Sequence, residues 1–444
     1  MKLVGPGTII TFDSNRPVVT DGGLVIEDNL IKEIGDYKQL IKKYESKIED
    51  KIKTDDKLIM PGMVNTHMHL YSTFARGMAI KDDPPQDFVQ ILERLWWRLD
   101  KALDYEGVYY SALLAIIEGI KNGTTTIFDH HASPNAISGS LDKISEAVNE
   151  TGIRACLSYE VSDRDGKEKA QEGIEENKRF IKKCKEKDSE LIKSAFGLHA
   201  SFTLSNETLQ QVSKVVNELE TGIHMHVAEG KADQEDSLSK YDLTVIERLE
   251  ELGLCNSKMI GAHGVHLQPH DMEILSEHNA NLIHNPESNM GNAVGYPPIF
   301  SMLDKGVLVG HGTDGFTTDM FESIKVANLL HKHNSGNPSA AWEEVPTITF
   351  ENNQKITNKF YDKPLAVLKE GGYADLIAVD YRPTTPLSSD NYYPHILFGI
   401  SGGKVEMTMV NGQVLMEDGE VKVVDEEEIY HKARLTAKEV WKRF

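Results

Sequence analysis

The sequence predicts an α/β fold, a (β/α)8 barrel of the TIM type joined to a small β-sandwich domain formed by both chain termini. Three observations support this prediction. Short apolar segments alternate with longer amphipathic ones through the middle of the chain. Eight such apolar segments can be read, and strands that alternate with helices form a parallel sheet that closes at eight units. Both chain ends instead show alternating apolar residues and tight turns.

The eight predicted strands lie within residues 59–364, which we expect to be the barrel domain. Patterns typical of amphipathic helices, such as SLSKYDLTVIERLEELG, separate them. The alternative, an open doubly wound sheet, would need a glycine-rich turn after the first strand, and none is present there. The strand segments are LIMPGMVNTHMH, TTTIFDHH, IRACLSYEV, LIKSAFGLHA, GIHMHVAE, MIGAHGVH, ANLIHNP and VLVGHGTDG.

Residues 1–58 and 365–444 are predicted to form the second domain together. Segments such as TIITF and LVIED near the start, and ADLIAVDY near the end, are typical of short strands. Asn411-Gly412 is a two-residue hairpin signal between alternating apolar runs. No low-complexity linker separates either end from the middle, so we expect one composite β-sandwich domain where the termini meet.

The composition argues against two classes of partner. Of 444 residues, 40% are hydrophobic and 26% are charged, as in ordinary globular proteins. The formal net charge of −21 disfavours nucleic acid and anionic membranes, because both attract positive surfaces. It does not exclude a small anionic substrate, which meets only the local field of a pocket. No apolar run approaches the roughly eighteen residues that cross a bilayer.

The cysteines and the N-terminus predict a cytoplasmic protein. Cys156, Cys184 and Cys255 lie far apart and form no CxxC motif, which fits a reducing compartment. The first apolar stretch breaks at Gly5-Pro6-Gly7. We therefore expect neither a signal peptide nor a transit peptide.

Two histidines one residue apart, His67 and His69, end the first predicted strand. Residues i and i+2 of a strand point to the same face, so both imidazoles would aim at one point. Neutral imidazole is the commonest ligand for zinc or iron in proteins. Two histidines on one strand are by themselves more often a solvated edge, so a metal site requires further ligands elsewhere in the chain.

Titratable residues follow most of the predicted strands at the end where barrel active sites lie. Converging histidine and aspartate side chains match metal-ligand chemistry, and we therefore predict a metal site. Either His224 or His226 of strand five suits the ligand role, with the other as its neighbour. The residues are Asp129, His130 and His131 after strand two, His199 after four, His226 and Glu229 after five, His263 and His266 on six, HNPESN after seven and Asp314 after eight.

The remaining histidines are expected to support the ligands or to be structural, because a metal ion needs only three or four protein ligands. Their individual roles stay open from the sequence alone. They are His130, His131, His266, His284 and His311.

The ordered motifs resemble the amidohydrolase superfamily over nearly the whole chain. More narrowly, they resemble its mononuclear-metal branch, which contains cytosine, guanine and adenosine-type deaminases and triazine chlorohydrolases. The LERLWWRLD segment is most similar to SsnA-type aminohydrolases. The motifs are HMH, HVAE, GAHGVHL, HNPESNMG and GTDG, and the flanking segments LIMPGMVNTHMHL, EGIKNGTTTIFD and KEGGYADLIAVD.

This resemblance implies a set of ligands and a set of catalytic residues. Glu229 would be the proton shuttle. His263 would orient the metal-bound hydroxide and the polarised substrate, and Asp314 would accept a proton from the bound water. The implied metal ligands are His67, His69, His226 and Asp314.

A single metal ion is expected rather than two. Binuclear relatives carry a carboxylated lysine at the end of strand four, where this chain has His199. Lys193 lies at the beginning of that segment. His199 would then line the substrate pocket. The expected cofactor is one divalent metal ion per chain, zinc first, with iron or manganese as alternatives.

The predicted reaction is the hydrolytic deamination of a nitrogen heterocycle, such as a purine, a pyrimidine or a related ring. A divalent metal lowers the pKa of bound water from about 15.7 to about 7. Positioned acid–base catalysis by Glu229 would contribute about 10²–10⁴-fold, and a hydrogen bond from His263 would stabilise the developing oxyanion. Alternatives are hydrolysis of another C–N or C–Cl bond on a similar ring, and a catalytically inactive scaffold.

Substrate contacts are expected from loops after the strands. Besides His199, we predict Arg76, Arg154 and Ser288 as substrate-binding residues. The 79–100 segment, Arg164 and Asn289 are further candidates, whereas Trp96-Trp97 is typical of a core or an interface. The expected partner is a small heterocyclic molecule, with no nucleic acid and no membrane. A homodimer is also considered, because relatives of this type are often dimers or larger.

Overall fold

The computed structural model describes residues 1–54, 57–400 and 405–444 and has a mixed α/β fold. Among these residues the strands fall into sheets of nine, five and four strands. The strands are β1 (Lys2–Ile10), β2 (Val18–Glu27), β3 (Leu30–Asp36), β4 (Asp50–Ile52), β5 (Leu58–Pro61), β6 (Met63–Met68), β7 (Thr124–His131), β8 (Arg154–Tyr159), β9 (Ile192–Ser194), β10 (Phe196–Ala200), β11 (Ile223–Val227), β12 (Ile260–His263), β13 (Asn281–His284), β14 (Leu308–His311), β15 (Leu376–Val379), β16 (Val405–Val410), β17 (Gln413–Glu417) and β18 (Glu420–Val421).

Helices follow most of the parallel strands. None of the helices in the described ranges is both long and apolar enough to cross a membrane. They are α1 (Tyr37–Tyr44), α2 (Phe88–Ile91), α3 (Trp97–Ala102), α4 (Tyr105–Lys121), α5 (Ser140–Thr151), α6 (Lys167–Lys187), α7 (Asn206–Glu218), α8 (Lys231–Tyr241), α9 (Val245–Glu251), α10 (Pro269–Glu277), α11 (Pro286–Gly291), α12 (Ile299–Asp304), α13 (Met320–Ser335), α14 (Glu344–Pro346), α15 (Asn353–Thr357), α16 (Tyr392–His395) and α17 (Glu426–Arg443).

The helices begin and pack as their sequences dictate. In α6 the buried residues recur every three or four positions, so that one face lies against the strands. Thr244 and Glu247 form a reciprocal capping box at the start of α9. A π-helical turn, Leu92–Trp96, joins α2 to α3, and the three pieces together occupy residues 88–102.

The parallel strands form two neighbouring sheets, β6-β7-β8-β9 and β10-β11-β12-β13-β14. Two isolated parallel bridges connect them, Met68 with Asp314 and Val161 with Leu198. The strands follow one another in the order predicted from the sequence. The predicted fourth strand is divided between β9 and β10, and the predicted first strand between β5 and β6.

Buried asparagine side chains replace ladder hydrogen bonds where the two sheets meet. Between β8 and β10, Asn177 accepts from the backbone N–H groups of Tyr159 and Gly197 at 3.0 and 3.1 Å. Between β14 and β6, Asn353 donates to the carbonyl oxygens of Val64 and His311, both at 2.9 Å. Buried backbone groups need such partners, so both seams remain hydrogen-bonded.

The nine-stranded sheet contains strands from both ends of the chain. Its order is β18-β17-β16-β15-β5-β1-β2-β3, with β4 paired to β1. Strand β5 pairs with β1 in parallel and with β15 antiparallel. After Pro61 the chain leaves this sheet for β6. A Cβ atom on Gly62 would lie 2.0 Å from Thr125 Cγ2, so this close approach requires glycine.

Arg154 joins the parallel sheet to the nine-stranded sheet, which corrects its predicted role in substrate binding. It begins β8, at the end of the strand opposite to the predicted site, and its side chain is 0% exposed. The guanidinium binds both carboxylate oxygens of Asp375, at 2.8 and 3.0 Å, and its centre lies 4.1 Å from the Tyr373 ring centroid. Arg154 is therefore a structural residue.

We expect Arg154→Met to lower the free energy of unfolding by about 3–5 kcal/mol, because the Asp375 carboxylate would stay buried without its cation. Urea unfolding followed by tryptophan fluorescence measures this loss. The matched control is Arg76→Met. Arg76 also pairs with a carboxylate, that of Glu118, but its side chain is 49% exposed. That change should cost about 1 kcal/mol or less. Equal losses in both variants would contradict the structural role of Arg154.

Candidate metal and substrate site

The candidate site lies at the carboxyl ends of the parallel strands. His67 is in β6, His226 is in β11, and His263 ends β12. The backbone N–H of Asp314 donates to the His67 carbonyl oxygen at 2.9 Å, which holds the loop after β14 against β6. One ring nitrogen or carboxylate oxygen from each of His67, His263 and Asp314 lies within 4.8 Å of the others, and the same holds for His67, His69, His130 and His226.

Main-chain acceptors fix the proton position on two of these imidazoles. His69 Nδ1 lies 2.5 Å from the His130 carbonyl oxygen, and His226 Nδ1 lies 2.9 Å from the His199 carbonyl oxygen. A carbonyl only accepts hydrogen bonds, so each Nδ1 carries a proton, and in the neutral imidazole each Nε2 then keeps a free lone pair. These two Nε2 atoms are 3.1 Å apart.

A chain of three hydrogen bonds also places the proton of His67 on Nδ1 and leaves a lone pair on its Nε2. Ser158 donates its hydroxyl proton to the Asp129 carbonyl oxygen at 3.0 Å, so its oxygen accepts from His224 Nδ1 at 3.4 Å. His224 Nε2 is then an acceptor, and His67 Nδ1 donates to it at 2.8 Å. His67 Nε2 is left buried without a hydrogen-bond partner. The sequence left His224 and His226 as alternatives, and the structure places His226 in the cluster with His224 behind His67.

The position of His69 is also set by a carboxylate. Asp129 accepts a hydrogen bond from the backbone N–H of Leu70 at 2.8 Å, which holds the turn after β6. Burial raises the pKa of Asp129 to about 7. Asp129 therefore supports the predicted ligand strand and does not face the cleft.

Asp314 brings a negative charge to the imidazole cluster. Its Oδ1 lies 3.0 Å from His69 Nε2 and 3.7 Å from His67 Nε2, and the Ser288 hydroxyl donates to its Oδ2. Ser288 thus contacts Asp314 and does not line the cleft, which corrects its predicted role as a substrate contact. Ser288 instead fixes the orientation of the Asp314 carboxylate.

These atoms fit a divalent cation. Lone pairs of buried imidazole nitrogens that face one another repel unless a proton or a cation lies among them. Burial lowers the pKa of His69, but the carboxylates of Asp314 and Glu160 outweigh burial and hold that pKa well above its ordinary value. The cluster therefore stabilises positive charge. Three imidazoles and one carboxylate are a donor set that suits zinc and similar ions.

His263 and Glu229 lie together on one flank of the cluster. In the orientation that Asn289 has, its amide donates to His263 Nδ1 at 2.9 Å, so His263 carries its proton on Nε2. That Nε2 lies 3.4 Å from Glu229 Oε2 and 3.8 Å from Asp314 Oδ2. Burial, helped by the nearby Asp314 carboxylate, raises the pKa of Glu229 well above its ordinary value. This shift favours the protonated form of the Glu229 carboxyl.

The cleft above the cluster has an empty volume, open mouth included, of about 760 Å³. Aromatic residues cover much of its wall and suit a planar ring. They are Tyr71, Phe88, Trp96, Trp97, Phe202 and Phe316.

The outcomes for the predicted substrate contacts differ. His199 lines the cleft, as does Arg164. Arg76 does not, because its guanidinium pairs with Glu118 at 2.6 Å on an exposed face. Trp96 and Trp97, predicted as core or interface, both line the cleft, because the helical segment 88–102 lies over it.

Sequence reasoning missed Glu160, which also lines the cleft. It follows β8 directly, and its Oε1 lies 3.3 Å from His69 Nδ1. The rule that titratable residues at the carboxyl ends of the predicted strands are site candidates also applies to Glu160. An acidic residue stands at the carboxyl end of predicted strand three, in LSYEV.

The histidines whose roles the sequence left open have distinct surroundings. His130 lies beside the cluster, its ring stacked on His224 at 4.4 Å, and neither of its nitrogens has a hydrogen-bond partner. His131 Nε2 bonds Ser133 at 2.9 Å. His311 bonds Thr349 and Ser323, both at 2.8 Å. His266 and His284 do not line the cleft. These four residues support the fold around the site.

Comparison with known proteins identifies the family. The model of the amidohydrolase family matches residues 58–415. This chain belongs to the amidohydrolase family. A 5-methylthioadenosine/S-adenosylhomocysteine deaminase of Halothermothrix orenii is 34% identical over 439 residues, which cover 96% of each chain. A 5'-deoxyadenosine deaminase of Methanosarcina acetivorans is also 34% identical, over 97% of this chain and 96% of the relative.

Solved structures of this amidohydrolase fold resemble the chain over almost its whole length. A zinc-bound adenosine deaminase from Xanthomonas campestris has a TM-score of 0.84 and 22% identity, covering 99% of this chain and 98% of that one. A zinc complex of an atrazine chlorohydrolase from Arthrobacter aurescens has a TM-score of 0.81 and 21% identity, with 98% and 100% covered. Members of the family bind a divalent metal, in agreement with the donor cluster found here.

The different surroundings of the two histidines in β11 make a testable pair. We expect His226→Ala to lose stoichiometric metal, because it removes a converging Nε2 atom. His224→Phe should keep a metal site but weaken metal affinity about 10- to 100-fold, the usual effect of losing the partner of a metal-ligating histidine. Competition with a chelator, read by metal analysis, gives both values.

The exposed substitution His278→Gln is the control and should bind metal as the native chain does, since His278 contacts only Glu250 among the described ion pairs. Stoichiometric metal in His226→Ala would refute the assignment of His226 as a ligand.

Proposed function

We propose that this hydrolytic deaminase of purine-type compounds acts on the adenine ring of a nucleoside, and that zinc is its metal. The observation that carries the proposal is the buried Glu229 carboxyl in an aromatic-lined cleft, with its Oε2 3.4 Å from His263 Nε2 and its pKa raised by burial. A positioned acid of this kind suits protonation of a ring nitrogen.

The relatives support the nucleoside. The two described above, each about one third identical over nearly the full chain, are named for the deamination of adenosine derivatives with altered 5' groups.

Deamination replaces an amino group on a ring carbon by a carbonyl group, with one water consumed and one ammonia released. His67, His69, His226 and Asp314 would hold the metal ion. When bound, a divalent ion supplies the Lewis acidity that makes water a competent nucleophile near neutral pH.

The chain's own residues perform the proton transfers. Glu229 holds a proton, its Oε1 fixed by the Asn292 amide at 3.2 Å. It gives this proton to the ring nitrogen next to the carbon under attack, then takes a proton from the attacking water and passes it to the departing ammonia. The second proton of that water restores the Glu229 carboxyl when the carbonyl group forms. The N–H at His263 Nε2 donates towards the oxygen that adds to the ring and stabilises the charge that develops there. The aromatic wall excludes water from the ring.

We also propose the domain arrangement that would place this site. The two parallel sheets, bridged at both seams, would form one closed (β/α)8 barrel over residues 59–364. Residues 1–58 and 365–444 would form the second, sandwich-like domain around the shared sheet. The strand pairing of β5 with both β1 and β15 supports a composite domain.

We expect Glu229→Gln to keep one metal ion per chain and to lose turnover by at least about 10²-fold, because the amide is isosteric but supplies no acidic proton. The assay is ammonia release from adenosine, 5'-deoxyadenosine, 5'-methylthioadenosine, guanine, cytosine and a chlorotriazine, with chloride release measured beside it. Glu235→Gln, on the exposed face of α8, is the matched control.

Undiminished ammonia release by Glu229→Gln would refute the acid–base assignment. Chloride release without ammonia release would replace the deaminase proposal with that of a chlorohydrolase. Ammonia release only from guanine or cytosine would refute the adenine nucleoside as substrate.

A further inference from the structure

We infer that Glu160 and His199 form a second recognition site in the cleft, an acceptor pair that binds a hydrogen-bond donor of the substrate. Both residues line the cleft. The inference rests on the proposed function only in taking this cleft as the substrate cleft. It assigns to Glu160 a role in substrate specificity.

The proton on His199 can be placed by its neighbours. Thr203 donates its hydroxyl proton to the Ala200 carbonyl oxygen at 3.0 Å. The Thr203 oxygen therefore accepts from His199 Nδ1, which lies 2.8 Å away. A neutral imidazole with its proton on Nδ1 presents only a lone pair on Nε2. His199 thus offers the cleft an acceptor.

Glu160 offers a second acceptor beside it. Its Oε2 lies 4.0 Å from His199 Nε2, too far for a hydrogen bond between them. Its Oε1 is buried without a hydrogen-bond partner. The nearest proton, on His69 Nδ1 at 3.3 Å, is already directed to the His130 carbonyl oxygen at 2.5 Å.

The ion pairs described for Glu160 are all with histidines, namely His69, His130 and His199. Arg164, which lines the same wall, pairs instead with Asp100 and Asp165. A buried carboxylate without a full set of donors is costly. A hydrogen-bond donor on the ligand would give the Glu160 carboxylate the interaction that these neighbours do not provide.

The backbone holds the acceptor pair rigidly. The Glu160 N–H donates to the His131 carbonyl oxygen at 2.7 Å, and the His199 N–H donates to the Val161 carbonyl oxygen at 3.0 Å. Trp97 and Phe202 each pack edge-on against the His199 ring, with centroids 6.0 Å away. Two acceptors fixed side by side select a ligand N–H or O–H and disfavour a ligand lone pair.

The donor has two chemical sources in an adenine compound, a ribose hydroxyl or a ring N–H. The experiment compares adenosine with 2',3'-dideoxyadenosine, and adenine with 9-methyladenine, on the metal-loaded protein. Each second member lacks the donor that its partner carries. Affinities are measured by calorimetry in the Glu229→Gln background, and kcat and KM are measured in the background with Glu229 intact.

We expect one pair to show about a 10- to 100-fold preference for the donor-bearing member, the range for a hydrogen bond to a charged group. Adding Glu160→Gln should reduce that preference to near unity through KM, with metal content unchanged, because the amide turns a donor towards the ligand. Discrimination by the first pair identifies a ribose hydroxyl, and discrimination by the second identifies a ring N–H. Glu207→Gln, on the exposed surface of α7, is the matched control.

Three outcomes would overturn the inference. The first is the absence of discrimination in either pair with Glu160 intact, which needs no variant to fold. The second is a preference that survives Glu160→Gln. The third is a loss of metal and of kcat on all four compounds in Glu160→Gln, which would show that Glu160 acts only through His69.

The proposed function fails separately from this inference. Absence of ammonia release, together with a Glu160-dependent preference in affinity, would refute the deaminase proposal and leave the acceptor pair standing. Absence of binding by all four compounds would refute both.

Discussion

The site depends on hydrogen bonds that decide which nitrogen of each imidazole carries the proton. The carbonyl oxygens of His130 and His199 take the Nδ1 protons of His69 and His226. His224 takes that of His67. The two carbonyl oxygens belong to strands next to those of the imidazoles, β7 beside β6 and β10 beside β11, so the strand order that builds the sheets also sets the chemistry of the cluster. A change of strand register would remove the carbonyl acceptor from each Nδ1. The proton would no longer be held there, and an Nε2 that carries it cannot bind a metal ion.

The cleft offers a ligand two kinds of hydrogen-bonding group. Glu229 and the Nε2 proton of His263 form a donor pair, whereas Glu160 and the Nε2 lone pair of His199 form an acceptor pair. A flat ring bound by both pairs would be oriented by complementarity rather than by shape alone. The aromatic wall lowers the local dielectric constant and so strengthens both interactions.

Strand-end reasoning predicted which side chains would lie together, because a parallel sheet brings the carboxyl ends of its strands to one edge, whatever the loops do. The same reasoning did not place Arg154, which begins its strand and meets Asp375 from a distant part of the chain. The position of Trp96 and Trp97 in the cleft was not predicted, because packing and not local sequence sets the position of the helical segment 88–102. Glu160 was within reach, since it follows β8 directly.

Three residues at the carboxyl ends of the parallel strands have strained backbone conformations. His263 and Asp314 have φ angles of 79° and 55°, and Ala228, beside Glu229, has 48°. Non-glycine residues in this left-handed region each cost on the order of 1–3 kcal/mol. At His263 and Asp314 the side chain serves the proposed site, so selection for stability alone would favour glycine at these two positions. In a lineage that no longer needed the reaction, substitutions to glycine at these positions would therefore increase stability and be favoured. Recovery of activity would then require mutations that lower stability again.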